Sequence, residues 1–136
     1  MEEIVINCKP AGKGRPRFMF MGGRVHTYTP EKTRDLERLV AMEYKLQSGK
    51  HFGDAPLSVE IIASFEPPKS ASKKKREELI KRQIYDKKPD ADNIAKLVLD
   101  ALNGVAYTDD KQIFSLHIIK VYAEKDGLKI RMIEKK

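Results

Sequence analysis

Apolar and polar positions alternate along four stretches of the chain and recur at helical spacing along three others. The alternation is cleanest from Leu57 to Phe65, where Leu57, Val59, Ile61, Ala63 and Phe65 share one side. Such a period of two predicts a half-buried strand. Glu3 to Cys8 reads as an opening strand, with Ile4, Ile6 and Cys8 on one face. Gln112 to Tyr122 is predicted as a long strand presenting Phe114, Leu116 and Ile118 together. Lys125-Asp126-Gly127 then turns the chain, and Leu128, Ile130 and Met132 form an antiparallel return. Phe18–Met21 and Arg24–Thr27 flank Gly22-Gly23, the pattern of a two-residue hairpin.

Helical spacing appears first after Thr29-Pro30, where Thr29 is the expected N-cap and Pro30 the first helical residue. Leu36, Leu39, Val40 and Tyr44 line its apolar side, and Ser48-Gly49 ends it. A second helix is expected from a Ser70 or Ser72 cap to about Ile84, with a thin stripe of Leu79, Ile80 and Ile84. Lysines at its start oppose the helix dipole, so a frayed first turn is expected there. The clearest helix follows Asp92: Ile94, Leu97, Val98, Ala101 and Leu102 keep the i, i+3, i+4, i+7, i+8 pattern until Gly104. Strands and helices in this order predict an α+β fold, one domain over residues 1–136. It would have a mixed or mostly antiparallel sheet and about three helices.

Composition narrows the chemistry. A chain of 136 residues with 40% hydrophobic content can bury a core. It holds no apolar stretch long enough to span a membrane and no secretory leader pattern. Its single cysteine, Cys8, excludes an internal disulfide and fits a buried structural thiol in a reducing cytoplasm. His26, His51 and His117 are scattered, which excludes zinc spacing.

The net charge of +7 points to a polyanionic partner. It is concentrated in two blocks. Residues 1–24 carry a net +3, and residues 69–88 carry nine Lys or Arg against three acids, a net +6. The second block runs straight into Asp90 and Asp92, which open the third helix, and Asp109-Asp110 follow the turn after it. Two readings are open from these residues. In one, Asp92 caps the helix and the other acids are solvated turn residues. In the other, the carboxylates converge to hold a hard divalent cation. Convergence is within reach: the helix from Asn93 to Asn103 spans ~16 Å, and the chain from Asn103 to Asp110 extends up to ~23 Å. Lys96 and Asp100 follow Asp92 at intervals of four and so share its polar face. Lys96 can reach a phosphate, or simply pair with a neighbouring acid.

The motifs together resemble the RusA-type Holliday junction resolvases, the crossover-junction endodeoxyribonucleases of bacteria and their prophages. The resemblance runs through Lys13-Gly14-Arg15-Pro16-Arg17, Tyr28-Thr29-Pro30-Glu31-Lys32-Thr33, Pro67-Pro68-Lys69-Ser70 and Ser72-Lys73-Lys74-Lys75-Arg76. It is tightest at Lys88-Pro89-Asp90-Ala91-Asp92-Asn93 with Lys96, at Asp100-Ala101-Leu102-Asn103-Gly104, and at Tyr107 with Asp109-Asp110-Lys111-Gln112-Ile113. One departure is Ala71, where related sequences often carry an aromatic residue.

The resemblance implies a cytoplasmic homodimer, bacterial or prophage-encoded. Such a dimer cuts four-way DNA junctions by paired symmetric nicks with Mg²⁺ or Mn²⁺, without a small-molecule cofactor or a membrane. It assigns Asp90, Asp92 and Asp110 as essential carboxylates, Asp109 as the neighbouring acid and Lys96 as the functional lysine. Asp100 stays outside the ligand set. Lys13, Arg15, Arg17, Lys69, Lys73, Lys74, Lys75 and Arg76 would contact phosphates on the junction arms. Two alternatives are a structure-specific DNA-binding module without catalysis and a nuclease acting on flaps or replication intermediates. The dimer surface is expected on the helix over residues 36–44 or on an edge strand.

Overall fold

A computed structural model describes residues 1–14, 17–28 and 31–135, with the side chains of Arg17, Thr27 and Tyr28 left aside. The expected cap Thr29-Pro30 and the expected DNA contact Arg15 lie outside the described residues, as does the Arg17 side chain. In chain order the strands are β1 (Glu2–Ile6), β2 (Arg17–Met21), β3 (Arg24–Tyr28), β4 (Leu57–Phe65), β5 (Ile113–Tyr122) and β6 (Gly127–Glu134). The helices are α1 (Glu31–Gln47), α2 (Lys73–Arg82) and α3 (Ala91–Leu102).

Four strands form one mixed sheet in the order β1-β6-β4-β5, and β2 and β3 form a separate hairpin. β6 runs antiparallel to both β1 and β4, while β4 and β5 are parallel. The expected β5–β6 hairpin is therefore not formed. β6 passes β5 and inserts between β1 and β4, which places Ile130 opposite both Ile4 and Ile61. A parallel pair needs a long crossover; here residues 66–112 make it, carrying α2 and α3 from β4 to β5.

The core lies on one face of the sheet. Ile4, Ile6, Val59, Ile61, Leu128 and Ile130 meet Ile94, Leu97, Val98 and Leu102 of α3 and Val40 and Tyr44 of α1. Each such side chain contributes about 2 kcal/mol of apolar burial. The opposite face mixes exposed Val5, Ile119 and Ile133 with charged residues, among them Arg131, which bridges Glu3 at 3.1 Å and Glu60 at 3.6 Å.

The register of β5 departs from simple alternation. Leu57 pairs with Ile113 and Ser58 with Ser115, so Phe114 is an extra residue, a bulge. Phe114 and Leu116 are both left exposed and Ile118 is half-buried, so the expected shared apolar face of β5 is not a buried one. Among the described residues, no helix is long and apolar enough to cross a membrane.

Candidate active site

α3 begins at Ala91, and Asp90 holds its N-cap position with extended backbone (φ −67°, ψ 145°). The expectation that Asp92 caps is corrected: Asp92 lies inside the first turn. Asp90 makes no side-chain cap hydrogen bond, so its carboxylate is unspent. Both acids are exposed and both sit at the positive end of the helix dipole. The six buried side chains of α3 anchor it, and the intervals of four along its other side bring Asp92, Lys96 and Asp100 into one row.

The chain then doubles back. Gly104 adopts φ +78°, a left-handed conformation that suits glycine. Its N–H donates to the Tyr107 carbonyl at 2.8 Å. Tyr107 is buried and donates its hydroxyl to the Leu99 carbonyl, tying the loop to the helix. Burial raises the Tyr107 pKa, so it stays a neutral donor.

Asp109 next opens a single 3₁₀ turn, Asp110–Gln112, and its Oδ1 accepts from the Lys111 N–H at 2.9 Å. Gln112 closes the box by accepting from the Asp109 N–H at 3.0 Å, and donates to the Gly53 and Ala55 carbonyls at 2.7 Å. These bonds fix the turn against the loop before β4. Asp109 is thus partly consumed by capping, and Asp110 is the freer acid.

Asp92, Lys96, Asp100 and Asp110 line one open cleft of about 500 Å³, floored by Ala95, Leu99, Leu116 and Ile118. Asp90 faces an adjoining cleft with Lys9, Lys88 and Asn93. The structure therefore places Asp92, Asp110 and Lys96 around one cleft, adds Asp100, and sets Asp90 at the shared helix start. Among the described residues, no three His, Cys, Asp or Glu side chains are drawn together tightly enough to make a ready metal cage.

The electrostatics still suit a cation. The Asp109 carboxylate holds the Asp110 pKa above its ordinary value. A slight desolvation and the Asp100 charge add to this, and Lys96 opposes it. Asp109 itself is lowered, first by the Lys111 N–H and then by Asp110. An all-carboxylate donor set under mutual repulsion fits a hard divalent ion.

The basic residues divide into two kinds. Ser72 caps α2 by accepting from the Lys75 N–H at 3.1 Å, which satisfies the first turn despite its lysines. α2 ends at Arg82 rather than near Ile84, because Gln83 turns to φ +69°. Lys69, Lys73, Lys74 and Lys75 are exposed, and Arg76 is half-buried. Lys13 points inward instead, 2.9 Å from Glu37 and 3.3 Å from Asp100. Its loop packs on the start of α3: the Lys13 N–H donates to the Asn93 carbonyl at 2.9 Å. A Cβ on Gly12 would fall 2.8 Å from the Asn93 Cβ, so only glycine allows this approach.

Two residues at or beside the site are not among the functional residues expected from sequence; the resemblance leaves Asp100 outside the ligand set. Asp100 has a visible signal, its spacing of four from Lys96. Lys120 donates to the carbonyls of Lys87 and Pro89 just before Asp90. Its signal is a lysine on the otherwise apolar Leu116–Ile118–Tyr122 side of the strand.

The family Endodeoxyribonuclease RusA matches residues 7–133. This chain belongs to the RusA endodeoxyribonuclease family. It is also similar to the uncharacterized protein YqaN of Bacillus subtilis (strain 168), 33% identical over 135 residues. That alignment covers 97% of this chain and 95% of the relative. Within the RusA family frame, the matched span contains both arms of the acidic cleft and the whole crossover.

Proposed function

We propose that this RusA-family chain is a divalent-metal-dependent endodeoxyribonuclease that resolves four-way DNA junctions by paired symmetric cuts, acting as a cytoplasmic homodimer. The observation that carries the reading is the convergence of Asp92, Lys96, Asp100 and Asp110 on one open cleft, beside a block of net charge +6. A protein that only bound DNA would lose affinity by presenting carboxylates to phosphate.

In this reading Asp92 and Asp110 hold Mg²⁺ or Mn²⁺. Asp90 contributes from the helix start and Asp109 with its remaining oxygen. When bound, the cation lowers the pKa of a coordinated water and screens the charge that grows on the phosphodiester. Lys96, exposed at the rim, meets the scissile phosphate or the leaving oxygen. Lys69, Lys73, Lys74, Lys75 and Arg76 follow the backbone of a junction arm and position it without reading sequence. Two sites related by a two-fold axis match the symmetry of the junction.

The test is cleavage of a synthetic four-way junction with Mg²⁺ or Mn²⁺ by the wild type and by Asp90→Asn. Paired nicks by the wild type are expected, lost in the variant while junction binding persists. Binding without cutting in either metal overturns the enzyme reading. Equal or faster cutting of flap substrates overturns the junction assignment, and a monomer at micromolar concentration overturns paired cutting.

A further inference from the structure

Lys13 and Lys96 meet at a single oxygen. Lys13 Nζ lies 3.3 Å from Asp100 Oδ2, and Lys96 Nζ lies 3.7 Å from that same atom. The two lysines are not equivalent. Lys13 keeps only 17% of its side-chain exposure and is also paired with Glu37 at 2.9 Å. Its backbone is fixed to Asn93. Burial opposes its charge, but Glu37 and Asp100 together raise its pKa, so it stays an ammonium. Lys96 is 63% exposed and holds Asp100 only at the margin of an ion pair.

We infer that Lys13 is a positioning residue: it neutralises Asp100 from inside the protein and so leaves the Lys96 ammonium free for the scissile phosphate. The inference rests on the metal-nuclease reading above and deepens it. A half-buried carboxylate without a partner is costly. Were Lys13 absent, Asp100 would recruit the nearest remaining cation, and Lys96 stands one helical turn away. The ordinary i, i+4 pair would tighten beyond its usual surface strength. Lys96 would then be withheld from the substrate. A half-buried ammonium serving two carboxylates has little left for DNA, so Lys13 leaves the phosphate-binding set and joins the support of the cleft.

The experiment uses the full chain with three readouts. These are single-turnover junction cleavage at saturating protein, junction affinity in EDTA, and acylation of Lys96 followed by mass spectrometry in metal-free protein. Lys13→Met is expected to slow cleavage roughly tenfold while affinity stays within about twofold, since no phosphate contact is lost. Lys96 acylation should fall several-fold alongside, roughly in step with its capture by Asp100. Adding Asp100→Asn to Lys13→Met should restore both rate and labelling. Glu37→Gln, which spares the Lys13–Asp100 contact, should leave the labelling of Lys96 unchanged.

Should Lys13→Met fail to fold, Lys13→Gln carries the same readouts, because it removes the charge and keeps a donor. Unchanged Lys96 labelling in the Lys13 variant overturns the inference. So does a loss of affinity with an unaltered rate at saturation, which would make Lys13 a phosphate contact. If the wild type does not cut at all, the nuclease reading fails, and the labelling comparison still decides the role of Lys13.

Discussion

Lys120 reaches from β5 to the carbonyl of Pro89 at 2.8 Å, one residue before Asp90. It also donates to the Lys87 carbonyl at 2.6 Å, and its ammonium lies 5.4 Å from the Tyr85 ring centre. The edge strand thereby sets the height at which α3 begins. Lys120→Met keeps the aliphatic stem and removes both bonds. We expect a stability loss of about 2 kcal/mol by urea denaturation, with a fall in cleavage rate larger than any fall in junction affinity. Unchanged stability and rate would show that this latch is idle.

Asp109 and Asp110 are adjacent but differently committed. Asp109 is engaged in the cap, and asparagine caps equally well. Asp110→Asn is therefore expected to lower cleavage by roughly 10²-fold or more, and Asp109→Asn by roughly tenfold or less, with junction binding retained in both. Side-by-side single-turnover assays check the order; a more damaging Asp109 substitution would reverse the assignment of the freer ligand.

Junction binding should weaken steeply with salt, because exposed lysines act by releasing counterions. Replacing Lys73, Lys74 and Lys75 together by alanine should reduce the slope of log K against log[salt] by about 2 to 3. Filter-binding titrations across salt concentrations measure it. An unaltered slope would place the DNA elsewhere than α2.

Cys8 is half-buried, and burial, aided by the Asp126 charge, pushes its thiol up to about 11. A raised thiol pKa means the nucleophilic thiolate is scarce at neutral pH and grows only as pH approaches that value. Labelling with a disulfide reagent at pH 8 should thus be much slower than for a free thiol and should accelerate with pH. Fast labelling at pH 7 would contradict a structural thiol.

Much of this arrangement is written in local pattern. The alternation from Leu57 to Phe65 becomes β4 with the expected bounds and buried face. The helical spacing from Ile94 to Leu102 becomes the buried side of α3. The cap moved by two residues because Asp90 and Asp92 are equally good capping types, and only the packing of Ile94 and Leu97 sets where the first turn starts. The partner of β6 was hidden for a different reason. A turn at Lys125-Asp126-Gly127 favours a hairpin locally, but sheet order depends on which strand best covers Ile61 and Val59, a non-local matter. Lys13 looked like any loop lysine, since Glu37 and Asp100, which draw it inward, are distant in sequence.

The parallel pairing of β4 with β5 also orders events in time. Asp90 and Asp92 lie within the crossover and Asp110 at its far end, while β6, which completes the sheet, is made last. Long-range parallel pairings form late, after their closure entropy is met. On the proposed reading, a chain still emerging during synthesis would carry the α2 lysines that meet phosphate before its acids are brought together. The same reading would have the capacity to bind DNA precede the capacity to cut it.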